Sequence, residues 1–247
     1  MELDGQIAVV TGGASGIGKA CVQALEKRGI HVVIWDRQII GLGLEAVECD
    51  VSSAQSVEHA LQETITRAGV PRLCINCAGV APAQRMVGKD GAMPLEAFKQ
   101  VIDINLVGTF NVMRVVAAAM MKLELIASSS ERGVIINTAS IAAFEGQIGQ
   151  LAYSASKGGV VAMTLPAARE LAQHSIRVNT IAPGLVATPM LLTMPQEVQD
   201  SLAATIPFPK RFGKPEEFAA LAIHIIENGM INGEVIRLDG ALRMQPR

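Results

Sequence analysis

QIAVVTGGASGIG, residues Gln6 to Gly18, sets a short apolar, β-branched run against a glycine-rich turn, and a helical pattern continues from it through Arg28. Strand, turn and helix in that order open a βαβ unit. Gly12, Gly16 and Gly18 stand where the backbone must turn tightly, approach a pyrophosphate and pack the new helix on its strand. The first turn of that helix offers unpaired N–H groups to phosphate. The spacing is G-x-x-x-G-x-G rather than G-x-G-x-x-G, so the turn takes its meaning from its place between a strand and a helix.

Working outward, a second strand, His31 to Trp35, ends at Asp36, where a carboxylate would accept hydrogen bonds from adenosine ribose hydroxyls. Its charge opposes a 2′-phosphate, which favours NAD, although Arg37 beside it is a candidate phosphate partner. A strand-end aspartate is also ordinary turn chemistry. Glu45 to Cys49 reads as a third strand leading into Asp50-Val51, Ser53 to Ala68 as a helix, and Arg72 to Asn76 as a fourth strand stopped by Ala78-Gly79. Asp50 is placed to bind an adenine amino group, and the small residues after Asn76 let a flat cofactor lie against the backbone. Val80 to Met93 is a long loop. Pro94 opens one long apolar helix to about Met121.

Beyond it come a fifth strand, Gly133 to Thr138, a helix from about Gln150 to Gln173, and a sixth strand, Ile176 to Ala182, stopped by Pro183-Gly184. A last helix begins at Pro215, and Glu234 to Leu238 supplies a seventh strand. Strands alternating with helices predict an α/β Rossmann fold: one domain over residues 1–247, built on a doubly wound, seven-stranded parallel sheet. The proline-punctuated apolar segment at about 185–212 reads as a mobile lid over the substrate.

Half of the residues are hydrophobic and only 3% aromatic, which suits a buried parallel sheet wrapped by close-packed helices. A formal net charge of -2, with no basic stripe, argues against nucleic acid or an anionic membrane as partner. The acidic start lacks the basic region of a signal peptide, so the expected compartment is the cytoplasm. The stretch NVMRVVAAAMM is interrupted by Arg114 and reads as too short to span a bilayer. Cys74 and Cys77 form a C-x-x-C, but residues three apart on a strand face opposite ways and no second pair completes four ligands. No metal is expected.

The chemistry concentrates between Ser140 and Lys157. Tyr153 and Lys157 lie four apart in a helical run, so they project from one face a turn apart. An ammonium there is expected to favour the phenolate and lower a hydroxyl pKa that is ordinarily about 10. Ser140 ends the strand run GVIINTAS, where its hydroxyl would hydrogen-bond a substrate oxygen. Taken alone, the Tyr–Lys spacing is equally that of an amphipathic pair. Asn105, polar among apolar helix neighbours, has either a specific role or the place of a satisfied buried amide.

The combined pattern resembles the short-chain dehydrogenase/reductase family over essentially the whole chain. It includes TGGASGIG with Ser15 and Ile17, Asp36, Asp50-Val51, NCAG at Asn76 to Gly79, Asn105, Ser140, Tyr153-x-x-x-Lys157 and Pro183-Gly184. The resemblance implies that Tyr153 donates and accepts the proton, Ser140 holds the carbonyl or alcohol oxygen, and Lys157 lowers the tyrosine pKa and binds the nicotinamide ribose. It implies that Asn105 steadies a water in the proton relay, that Thr188 binds the nicotinamide carboxamide, and that Gln150 contacts substrate. Cys77 departs from the second asparagine found in many members.

GVIINTASIAAFEGQIGQLAYSASKGG, IAPGLVATPML and IIENGMINGEVIRLDGALRMQP look, more narrowly, like the type II 3-hydroxyacyl-CoA dehydrogenases, a branch that also oxidises hydroxysteroids. Arg37 to Glu48 is shorter than in that branch and the Val80 to Met93 loop less similar, so the acyl pocket and its mouth are not specified by the resemblance. The implied substrates are a small-molecule (S)-3-hydroxyacyl-CoA thioester and its 3-oxo partner, with a hydroxysteroid or an acyl-carrier-protein thioester as alternatives. The apolar residues of the lid (Leu185, Val186, Met190, Leu191, Leu192, Met194, Ile206, Phe208) are expected to wall the acyl chain, and Lys210, Arg211 and Lys214 to meet coenzyme A phosphates or simply to form a solvated turn. A non-catalytic dinucleotide-binding scaffold is the reading from another class, and it has no use for the Asn, Ser, Tyr and Lys set. The apolar excess of two helices predicts a homo-oligomer, in most relatives a tetramer.

Overall fold

The computed structural model describes residues 1, 3–41, 45–89 and 91–246. Strand β1 (Ile7–Thr11) leads through the glycine turn to α1 (Gly16–Glu26), β2 (His31–Asp36), β3 (Ala46–Glu48), α2 (Ala54–Arg67) and β4 (Leu73–Asn76). A small hairpin, β5 (Val87–Gly88) and β6 (Gly91–Ala92), precedes α3 (Leu95–Ile102), a π turn (Asp103–Val107) and α4 (Gly108–Met120). Then come β7 (Gly133–Thr138), a 3-10 turn (Ile141–Ala143), α5 (Leu151–Ala172), β8 (Ile176–Pro183), α6 (Pro189–Leu192), α7 (Gln196–Ala204), α8 (Pro215–Glu227) and β9 (Val235–Leu238).

Seven strands make one parallel sheet in the order β3-β2-β1-β4-β7-β8-β9. Successive side chains on a strand face opposite ways. Ala8, Val10 and Ile75 therefore enter the layer beneath α1 and α8, while Val9, Cys74 and Ile135 enter the layer beneath α2, α4 and α5. Both faces are covered, which is why the strands read as unbroken apolar runs rather than alternating ones. The order reverses where β1 lies between β2 and β4, and a crevice opens there beyond the strand C-termini.

The structure adds detail to the sequence reading: the segment at 185–212 holds α6 and α7, and the long helix after Pro94 is present at the expected bounds. The loop from Val80 holds the β5–β6 hairpin, whose exposed two-residue strands carry no alternation to read. The helix after Pro94 is α3, π turn and α4 in one continuous run, Leu95–Met120, of 26 residues. By length and composition that run is long and apolar enough to cross a membrane, more than the interrupted stretch around Arg114 suggests. In this fold it is a core helix: Val112, Val116 and Met120 are fully buried against the sheet, and Arg114 points outward to Glu58 at 3.0 Å.

Beneath the far edge of the sheet, Arg177 on β8 is buried and bonds Glu131 through Nε at 2.6 Å. Its remaining N–H groups donate to the carbonyls of Ile225, Ile226 and Ile231, closing the C-terminal end of α8 and the turn after it.

Candidate active site

The glycine turn is built by exclusion of side chains. A Cβ at Gly12, where φ is +65°, would stand 2.9 Å from the Ala78 backbone, and one at Gly18 would stand 2.2 Å from the Gly12 carbonyl oxygen. Only bare backbone lets β1, α1 and the end of β4 meet this closely. Thr11 Oγ1 then accepts from the N–H groups of Cys77 and Ala78, both at 3.1 Å. Asp36 accepts from Ala14 N–H at 3.1 Å and Gln38 N–H at 3.1 Å, so its carboxylate holds the turn as well as facing the crevice. Asp50 is gripped by the Ser52 side chain and backbone, and chiefly the Ser52 hydroxyl holds its carboxyl below the usual range; Arg37 is 4.0 Å away.

The crevice is a cleft of about 600 Å³. It gathers Gly12, Ser15, Gly16, Ile17 and Gly18 from the turn, Asp36, Asp50 and Val51 from the β2–β3 edge, and Ala78 and Gly79 after β4. Ser140, Gln150, Tyr153 and Lys157 form the opposite wall, and Pro183, Gly184 and Thr188 close it after β8. Two residues expected in the site stand outside its lining. Asn76 is buried within the sheet and donates to Asn137 Oδ1 at 2.9 Å. Asn105, fully buried in the π turn, accepts from Val80 N–H at 2.8 Å and donates to Val80 O at 2.8 Å and Ser156 Oγ at 3.1 Å. Both its amide hydrogens are taken, so it pins the start of the Val80 loop and has no amide hydrogen to spare for a water.

Ser140 follows β7, caps the 3-10 turn by accepting from Ala142 N–H at 3.1 Å, and reaches the Tyr153 hydroxyl. Lys157 donates to the Thr138 carbonyl at 2.7 Å, and its Nζ is 5.9 Å from the centre of the Tyr153 ring. A Cβ at Gly79 would lie 3.6 Å from that ammonium and 3.1 Å from Asn105 Oδ1, so a glycine keeps the space between them open.

The electrostatics correct the expectation of a lysine-lowered tyrosine. Burial raises the Tyr153 pKa above its ordinary value, with the Ser140 hydrogen bond acting in the opposite sense. Burial also brings Lys157 down to about 8, with Cys77 opposing. In this protein-only site, desolvation outweighs the attraction of an ammonium that is bonded to a backbone carbonyl.

The apolar wall is only partly as expected. Leu185, Val186 and Leu191 line the cleft, whereas Ile206 is buried beneath it with Ile141 and Leu242. Leu192, Met194 and Phe208 are exposed, and the side chain of Met190 lies outside the described residues. Arg211 forks onto Glu217 at 2.7 and 2.9 Å and is already paired. Cys74 and Cys77 do point into opposite layers, and Cys77 lines the cleft, accepting from Thr138 Oγ1 at 3.6 Å. Sequence reasoning missed the Thr138 carbonyl, a backbone group with no side-chain signature. It also missed Met244, which lines the cleft from far along the chain.

A family model for short chain dehydrogenases matches residues 6–199. The chain belongs to that family and is an oxidoreductase; dehydrogenases of this fold bind a nicotinamide dinucleotide. It is 50% identical to the 3-hydroxyacyl-CoA dehydrogenase type-2 of Homo sapiens and 49% identical to that of Bos taurus, in each case over 99% of this chain and 98% of the relative. The crystal structure of 3-hydroxyacyl-CoA dehydrogenase type-2 from Mycobacterium avium matches with a TM-score of 0.92 at 44% identity, covering 98% of both chains.

Proposed function

We propose that this enzyme interconverts (S)-3-hydroxyacyl-CoA and 3-oxoacyl-CoA esters with NAD. The carrying observation is the cleft that sets Ser140, Tyr153 and Lys157 opposite the glycine turn, in a chain similar end to end to proteins named 3-hydroxyacyl-CoA dehydrogenase type-2. The residues fit a dinucleotide: the turn is bare where a Cβ would fill it, and Asp36 faces the cleft. Bound there, it supplies the hydride acceptor or donor. Tyr153 takes the alcohol proton in oxidation and returns it in reduction, and Ser140 holds the reacting oxygen. Lys157 adds positive charge below pH about 8. Asn105 acts by position, fixing Val80 beside Gly79. Gln150 and Thr188 line the cleft, and in this reading the first contacts the substrate and the second the nicotinamide carboxamide.

Asp36 sets a negative charge against a 2′-phosphate, so kcat/KM with NAD exceeds that with NADP by more than about tenfold. The substrate is read from a panel: 3-hydroxybutyryl-CoA, its pantetheine analogue and a 17β-hydroxysteroid, with NADH formation as signal. The CoA ester gives the highest kcat/KM; equal performance by the truncated thioester or the steroid overturns the CoA assignment. A hydroxysteroid is the second reading, because the wall of Leu185, Val186 and Leu191 accepts it without any phosphate contact.

Four free thiols suit a reducing compartment, and we place the enzyme in the cytoplasm, with neither nucleic acid nor membrane as partner. Phe110, Val107 and Leu165 are each more than two-fifths exposed on the α4 and α5 side, an apolar face that suits a homotetramer. Light scattering at micromolar concentration then returns about four times 26.0 kDa, and a monomer mass refutes it.

A further inference from the structure

The chain after β9 does not trail into solvent. Leu242 is buried in one cluster with Ile141, which directly follows Ser140, and Ile206, within the lid segment. Met244 packs on this cluster and lines the cleft. Beyond it, Gln147 Nε2 donates to Gln245 O at 3.1 Å, and Ile148 N–H donates to Pro246 O at 3.0 Å. The tail thus pairs with the segment 144–150, which carries Gln147 and Gln150 into the same cleft.

An ionic buckle holds the two together. Arg237 forks onto Glu145 at 2.7 and 2.9 Å, bonds Asp239 at 2.7 Å, donates to Leu242 O at 2.9 Å and lies over the Phe144 ring at 5.1 Å. Arg243 reaches Glu145 and Asp239, each at 3.3 Å. A planar fork fixes orientation as well as distance, so one guanidinium ties the loop after Ser140 to the end of β9. The two arginines hold the Glu145 carboxyl below the usual range, Arg237 first.

We propose that residues 237–246 are a specificity element, in which Met244 limits the depth of the substrate end of the cleft and Arg237 is a positioning residue for the loop that carries Gln147 and Gln150. Naming the ligand as an acyl chain rests on the substrate reading above; the buckle itself does not.

Two measurements keep the parts separable. A variant lacking residues 245–247, and Arg237→Met, lose amide hydrogen-exchange protection at Ile148 while NADH affinity changes less than about twofold. Arg237→Lys, which keeps the charge without the fork, recovers only part of that protection. This readout needs no substrate. Met244→Ala then raises kcat/KM for longer 3-hydroxyacyl-CoA esters relative to 3-hydroxybutyryl-CoA by about tenfold, and Met244→Trp shifts the ratio the other way, since a methylene in a pocket is worth roughly 10–200-fold. Unchanged protection at Ile148 overturns the buckle, and parallel changes at all chain lengths overturn the specificity role. If the wild type oxidises no acyl-CoA, the substrate reading fails and the Met244 claim with it, while the exchange result still decides the buckle.

Discussion

Tyr153→Phe folds, binds NADH with wild-type affinity and loses kcat by about 10²–10⁴-fold, the range that a positioned acid or base contributes. The substitution removes one oxygen and keeps the ring, so the packing against Lys157 survives. The check is steady-state turnover beside NADH fluorescence titration. Turnover within about threefold of wild type would remove Tyr153 from proton transfer.

The largest expected loss of stability lies far from the chemistry. Arg177→Met destabilises the fold by about 3–5 kcal/mol, the cost of leaving one partner of a buried ion pair unmatched. Arg177 and Glu131 have side-chain exposures of 7% and 11%, and the Met1 ammonium, 3.4 Å from the second Glu131 oxygen, does not replace the guanidinium. The carbonyls of Ile225 and Ile226 lose the guanidinium as donor as well, whereas that of Ile231 keeps the Asn179 amide at 2.9 Å. Urea denaturation at fixed protein concentration shows a lower midpoint at unchanged slope. Glu131→Leu added to Arg177→Met recovers part of the loss, because the orphaned carboxylate goes with it. A single-variant loss below about 1 kcal/mol would show that the pair is not the clamp it looks to be.

Much of the fold was legible because its determinants are local. Apolar runs, most of them β-branched and ended by glycine, proline or aspartate, mark the seven sheet strands, and Gly12, Gly16 and Gly18 mark the turn where the sheet changes direction. The cleft lining follows from that topology, since Asp36, Asp50, Gly79, Ser140 and Pro183 stand at or just beyond strand ends.

What could not be read depends on partners distant in sequence. Asn105 signals a polar role, but that it spends its amide on Val80 and Ser156 follows from packing across 25 and 51 residues. The π turn around it differs from an α-helix only in backbone spacing, which the pattern of side chains does not encode. Ile206 and Phe208 are alike in hydrophobicity, yet one is buried and the other exposed, a distinction made by the fold. The rise in the Tyr153 pKa was missed because helical spacing gives the neighbour and not the desolvation.

The central claim, that Tyr153 exchanges the proton while Lys157 is charged, is tested most directly by the pH dependence of kcat/KM for (S)-3-hydroxybutyryl-CoA oxidation. Such profiles report the pKa values of the free enzyme. Oxidation needs a deprotonated tyrosine, whose pKa is raised, so its active fraction grows about tenfold per pH unit through neutrality. Lys157 loses its charge at about 8, so the rise ends there. Reduction needs the protonated tyrosine and the charged lysine, and stays level up to about pH 8 before falling. The account predicts a rising limb for oxidation that bends near pH 8 and is absent in Tyr153→Phe. A limb that persists unchanged in that variant contradicts it.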